Sequence, residues 1–187
     1  MVQYIFQAAM MAAVLFQVAA NQPGAAEYKA FWAKKDAEFR NASSSPLKPQ
    51  DLARFDSIPR YAFNPAFRVS ARWEKVSGAT PFGMKTTTSQ LAEYKLAGYL
   101  HFTIEGKSLK LPAYNSVKHA NHPLYKDRLF ILFTDQTNGK TTYMGGRYID
   151  MPGITGPTTT LDFNQAYNPY CVYNEKYSCP IPPAECN

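Results

Sequence analysis

Arg147 stands directly behind two glycines in Tyr143-Met144-Gly145-Gly146-Arg147-Tyr148. Glycines in an extended segment let a backbone or a ligand come close. A guanidinium placed there offers a planar fork that fits a carboxylate or a phosphate. The same placement also suits a structural ion pair, with Asp162 or Asp150 as its partner. Asp162 and Asn164 lie two residues apart, so on a strand they share one face. Such paired acceptors can orient a ligand hydroxyl or a cation, and they can equally cap the loop that follows, because Asp and Asn bond nearby backbone. Tyr167-Asn168-Pro169-Tyr170-Cys171 has the composition of a tight turn, with Pro169 fixing φ. Tyr143, Tyr148, Tyr167 and Tyr173 could stack on a ring or a sugar, or simply fill a small core. The candidate ligand-binding set is therefore Arg147, Asp162, Asn164, Tyr143 and Asn168.

Other chemistries find no matching pattern. The histidines are His101, His119 and His122, all far upstream of the cysteines, so no Cys–His nucleophile arrangement can be read. There is no phosphate loop, dinucleotide fingerprint or HExxH motif, and no cofactor is implied. The three cysteines, Cys171, Cys179 and Cys186, fall within the last seventeen residues. Their spacing does not match structural zinc sites, and no metal is expected. In an oxidising compartment Cys171 and Cys179 can form a disulfide, leaving Cys186 over. Paired thiols that stay reduced in a core are the other possibility.

These residues must be held by a scaffold, and the periodicity suggests which. Residues 25–42 read as an amphipathic helix, with Tyr28, Phe31, Trp32 and Phe39 on one side and Lys and Asp on the other. A short helix over residues 49–55 follows, then irregular chain interrupted by Pro59 and Pro65. From Phe67 the period changes to two: Phe67, Val69, Ala71 and Trp73 alternate with Arg68, Ser70, Arg72 and Glu74. Residues 83–89 form a Thr-rich strand candidate. Tyr94, Leu96, Gly98, Leu100, Phe102 and Ile104 alternate with polar and small residues, and Glu105-Gly106-Lys107 turns the chain into a hairpin with Leu109 and Leu111. Residues 129–134 are a continuous apolar strand. Asn138-Gly139 is a hairpin turn signal, residues 141–149 return, and residues 158–163 add a last strand. The sum is mainly β: an antiparallel meander closing into a small barrel or half-barrel after one N-terminal helix, within a single domain spanning residues 21–187.

Residues 1–20 differ in character. They carry no charged side chain, their apolar block over residues 5–16 is short for a membrane span, and Val18-Ala19-Ala20 resembles a signal-peptidase site. The expectation is a secretory signal cut before Asn21, hence an exported chain, periplasmic or secreted, with no stable membrane span after processing. The formal charge is +6, spread along the chain with no run of like charges. Nucleic acid is not an expected partner, although a diffuse basic surface can favour acidic polysaccharide or a membrane surface.

Several C-terminal motifs carry a family resemblance. They are Asp135-x-Thr137-x-Gly139; Thr142-Tyr143-x-x-Gly146-Arg147-Tyr148; Asp162-x-Asn164-x-Ala166-Tyr167-Asn168-Pro169-x-Cys171-x-Tyr173; and Cys179-Pro180-x-Pro182-Pro183. Together they resemble the bacterial and archaeal domain-of-unknown-function family numbered 1684, and the likeness extends over most of residues 21–187. The family pattern usually runs on past the proline box, whereas this chain stops at Asn187. The resemblance implies nothing about activity.

The residues leave three readings. The first is binding of a small polar or anionic ligand in a barrel-mouth pocket. The second is an envelope hydrolase with Asp162 as general base and Arg147 as anion holder. The third is a motif whose purpose is to fold the C-terminal segment.

Overall fold

A computed structural model describes residues 22–186. The expected signal sequence, residues 1–20, and its cleavage point lie outside the described residues. The architecture is mainly antiparallel β with one substantial helix near its start. Helix α1 (Ala25–Arg40) and the single turn α2 (Pro49–Leu52) precede strands β1 (Arg68–Lys75), β2 (Phe82–Lys85), β3 (Leu91–Ile104), β4 (Lys107–Ser116), β5 (Leu129–Phe133), β6 (Arg147–Met151) and β7 (Thr158–Asp162). They form one seven-stranded sheet in the order β6-β5-β4-β3-β1-β7, with β2 paired to the first residues of β3. Among the described residues no helix is long and apolar enough to cross a membrane.

The sheet curls, leaving β6 and β7 as its edges. Five residues past β7 the chain crosses to β6, where Tyr148 and Tyr167 exchange both backbone hydrogen bonds at 2.9 Å. That one bridge spans the open side of the half-barrel. Leu100, Ala113, Ile131 and Leu161 fill the core on one face of the sheet, none of them exposed. Tyr114, Leu132, Tyr148 and Cys186 make a second core on the other face.

The long alternation in β3 crosses from one core to the other. Leu96 pairs with Tyr114 but Gly98 pairs with Ala113, so Ala97 is the extra residue of a β-bulge. Tyr94 and Leu96 therefore join the second core, while Leu100 and Phe102 join the first. Gly98 sits against Trp73, whose ring a Cβ would meet at 2.6 Å. The β3–β4 hairpin turns as expected, with positive φ at both Glu105 and Gly106. Across Asn138-Gly139 the turn is real, but pairing resumes only at Arg147 rather than at Thr141.

Helix α1 is two residues shorter than its sequence pattern suggests, and its inner face is not wholly apolar. Trp32 and Phe39 are buried as expected, yet Asp36 is buried between them at 5% exposure. Its carboxylate accepts from Arg60 Nη1 at 3.0 and 2.9 Å and from the Ile58 backbone at 2.9 Å. A buried carboxylate is tolerable when its oxygens are answered in this way. The helix thereby ties the irregular residues 58–60 to the body, and Trp32, Phe39 and Ile58 pack with Tyr167, Tyr170 and Tyr173.

Candidate functional site

The five sequence candidates do not converge: Asp162 and Asn164 share one network, and Arg147, Tyr143 and Asn168 lie in others. Arg147 opens β6, and its guanidinium pairs with Asp135 at 2.5 Å. The ion pair expected for Arg147 exists, but its partner is neither Asp162 nor Asp150. Asp150 instead accepts from the Tyr167 hydroxyl at 2.6 Å. Asp135 begins a loop stapled by its own side chains. Its Oδ1 accepts from the Thr137 backbone at 2.8 Å, and Asn138 Nδ2 donates to the Tyr143 carbonyl at 2.7 Å. Burial works against the Asp135 carboxylate, but the Thr137 hydrogen bonds and the Arg147 guanidinium outweigh it and hold the carboxyl below its usual range. Among the described residues Arg147 Nε is buried without a partner, and the guanidinium lies 5.1 Å from the centre of the Phe133 ring. The two glycines do admit a close neighbour, and it is the protein itself. Gly146, at φ 91°, has the Phe133 carbonyl 2.6 Å and Pro182 2.8 Å from where a Cβ would stand.

Asp162 and Asn164 build a clasp. Asp162 Oδ1 accepts from the Asn164 backbone at 3.0 Å and from Asn164 Nδ2 at 2.8 Å. Asn164 then reaches Asn64 in both directions: its Oδ1 accepts from the Asn64 N–H at 2.8 Å, and its Nδ2 donates to the Asn64 carbonyl at 3.0 Å. Its own carbonyl accepts from Trp32 Nε1 at 3.0 Å. One asparagine thus joins the end of β7, the segment before β1 and helix α1. Asn168 bonds the Tyr173 side chain within its own segment.

Tyr143 and the cysteines form a third group. The Tyr143 side chain hydrogen-bonds to Cys171, and burial is the main reason its hydroxyl is harder to ionise than usual. All three cysteines are free thiols. Cys171 and Cys179 are neighbours: the Cys171 N–H donates to Cys179 Sγ at 3.2 Å, and the Cys171 side chain lies close enough to affect the ionisation of the Cys179 thiol. Burial first, and that side chain second, push the Cys179 thiol up to about 12. Cys179 is fixed to the strand-like residues after β2, its carbonyl accepting from Thr87 N–H at 2.8 Å.

A concavity lies elsewhere, and the sequence pattern gave no reason to look there. The β1–β3 ladder ends at Arg72↔His101; beyond it β1 pairs only with β7 and β3 only with β4. The strands splay there and leave a cleft of about 650 Å³. Its polar lining is Ser70, Arg72, His101, Thr103, Ser108 and Thr158, and Val69, Phe102 and Leu109 supply apolar surface. Glu74 reaches both titratable groups from β1. It accepts from His101 Nε2 at 2.6 Å and lies 3.8 Å from the Arg72 guanidinium. His101 is thereby held in one orientation by a carboxylate. None of the five sequence candidates lines this cleft. Arg72 and His101 read as solvent-facing members of alternating strands, and only the pairing register brings them together.

Among the described residues no group of three or more His, Cys, Asp or Glu side chains is arranged to hold a metal ion. The cleft offers hydroxyls that donate and accept, a guanidinium and an oriented imidazole.

Residues 53–187 match the model of a family described as "Protein of unknown function (DUF1684)". A solution NMR structure of an uncharacterized protein from gene locus rrnAC0354 of Haloarcula marismortui is similar to the chain, with 30% identity and a TM-score of 0.67 over 86% of each chain. No curated protein matches the chain.

Proposed function

Since the chain belongs to the DUF1684 family, a grouping without an assigned activity, we propose a function from its own geometry: it binds a small polar or anionic ligand in the cleft between β1 and β3. The observation that carries this reading is the end of the β1–β3 ladder at Arg72↔His101, which opens the sheet beside a guanidinium and an imidazole. Arg72 and His101 share Glu74, but the Arg72 side chain stays more than half exposed, whereas Arg147 is mostly buried against Asp135 and Asp162 is buried beneath Asn164 and Gln165. A hydrolase working through Asp162 would need a carboxylate that is not already the anchor of a clasp.

The test is ligand-induced stabilisation. Glucuronate, citrate and inorganic phosphate are added separately and Tm is read. A probe held in the cleft raises Tm, and Arg72→Ala or His101→Ala removes most of the rise while leaving the unliganded Tm unchanged. A rise that survives both changes and disappears in Arg147→Ala would move the site back to the β5–β6 loop and end the proposal.

The chain is exported, in this reading, on the strength of the signal-like residues 1–20, and an oxidising compartment joins Cys171 to Cys179, whose side chains are neighbours. Thiol–disulfide exchange with an oxidised dithiol donor supplies the bond: both thiols lose their protons, and the donor leaves as a dithiol. Protein recovered from the cell envelope or medium should begin at Asn21 and be lighter by two hydrogens than its reduced form. A chain that still begins at Met1, with every thiol open to alkylation after unfolding, would refute both points.

A further inference from the structure

The loop joining β4 to β5 turns every side chain outward: residues 118–128 are all exposed. The segment is nonetheless ordered by its own backbone hydrogen bonds and ring contacts. His122 N–H donates to the His119 carbonyl at 2.9 Å, Tyr125 and Lys126 both donate to the His122 carbonyl, and Arg128 N–H donates to Tyr125 at 3.1 Å. His122 and Tyr125 lie ring to ring at 4.3 Å, and the Arg128 guanidinium is 5.5 Å from the Tyr125 ring. The Asn115 side chain fixes the base by donating to the Arg128 carbonyl at 2.8 Å.

Two kinds of group stand on this tip. Leu124 is 75% exposed and Tyr125 is 42% exposed, side by side behind Pro123. The same exposed segment carries Lys118, Lys126 and Arg128, with Asp127 as its one acidic residue. Asp127 is tucked against Gly153, where its Cβ is 3.2 Å from the position a glycine Cβ would take. Exposed cations in one segment with an outward aliphatic and a tyrosine match an interface that is anionic at its surface and apolar just beneath. A soluble polyanion would reward the cations and give Leu124 nothing.

We propose that this loop docks the protein on a membrane surface containing anionic phospholipid, with Leu124 and Tyr125 entering the headgroup region and Lys118, Lys126 and Arg128 lying against lipid phosphates. The contact is peripheral and salt-sensitive, and it is independent of the cleft between β1 and β3.

Co-sedimentation of the full chain with vesicles tests it, using phosphatidylcholine alone and phosphatidylcholine with about a third phosphatidylglycerol. Residues 1–20 are themselves apolar, so the readout is the difference between variants at equal lipid. Lys118→Ala with Lys126→Ala lowers partitioning onto the anionic vesicles about thirtyfold, near fivefold for each cation, and leaves neutral vesicles unaffected. Leu124→Asn lowers it about tenfold on the same vesicles. Binding to anionic vesicles that neither variant weakens overturns the proposal. So does a loss confined to the lysine variant and reproduced with heparin, because that pattern belongs to a soluble polyanion.

Discussion

Arg147 Nη2 and Asp135 Oδ2 meet at 2.5 Å across the loop between β5 and β6. The arginine behind two glycines is therefore answered within twelve residues of its own chain. Its partner arrives with Thr137 and Asn138 already bonded around it. The result is a loop whose conformation and charge are set together.

This pair should make stability depend on acid. The Asp135 carboxyl titrates lower in the folded protein than in the unfolded chain, where it sits near 3.9. Its contribution is present above about pH 4 and is lost as pH falls through the folded value. Urea midpoints measured down the acid range should fall less steeply in Asp135→Asn than in the native chain. At neutral pH the same change should cost about 1–3 kcal/mol, since Arg147 is mostly buried and keeps its charge. Equal acid slopes in the two proteins would count against the pair.

The Asn164 clasp carries a second prediction. Asn164→Ala removes two bonds to Asn64 and one to Asp162. About 2–3 kcal/mol should be lost at roughly one per bond. Because the clasp also positions the Trp32 acceptor, tryptophan fluorescence should shift toward that of exposed indole in the folded variant. A stability change under about half a kcal/mol would show the bonds to be dispensable.

At the alkaline end the buried thiols dominate. Cys179 is pushed up to about 12 and Cys186 to about 11, each mainly by burial. An unfolded cysteine ionises near 8.5, so their stabilising contribution is complete below that pH and drains away as pH rises toward the folded values. Tyr94, raised to about 12 chiefly by burial, adds to the same trend. Reduced protein should therefore lose stability steadily above about pH 8.5, and Cys179→Ala should shallow the slope. In the native state iodoacetamide should leave Cys179 unmodified until urea opens the fold.

Gly98→Ala should be among the most damaging single substitutions. The added methyl meets the Trp73 ring at 2.6 Å and the Glu74 carbonyl closer still. Neither the ring in its core nor the backbone of β1 can yield cheaply, so a loss of about 3 kcal/mol is expected. The bulge that turns Leu96 and Leu100 to opposite faces should loosen with it. Faster amide exchange across residues 96–101 would report that, and unchanged exchange would argue that the bulge is indifferent to Gly98.

Much of the scaffold could be read from local chemistry, and the exceptions share a cause. The hairpin at Glu105-Gly106 was legible because positive φ favours glycine. Strand β1 was legible because Val69, Ala71 and Trp73 keep period two along one strand with no shift of register. The bulge at Ala97 left no mark, because the apolar alternation continues unbroken through it while the residues on either side enter different cores. Asp36 was placed on the wet side of its helix because its partner Arg60 lies 24 residues on, in chain without regular structure. The cleft was illegible for the same reason: Arg72 and His101 are joined only by register between strands. The Asp162–Asn164 clasp was half visible, because a two-residue bond is local but the bonds across a hundred residues to Asn64 are not.

The bridge between Tyr148 and Tyr167 has a consequence for how the protein is made. Strand β6 gains its outer neighbour only when residues beyond β7 have been made. Until then a row of unpaired amides on β6 is open to any other extended chain. A chaperone that holds the nascent polypeptide until Tyr167 is free would suit that delay, and a message cut short after Asp162 should yield aggregates instead of a smaller folded protein.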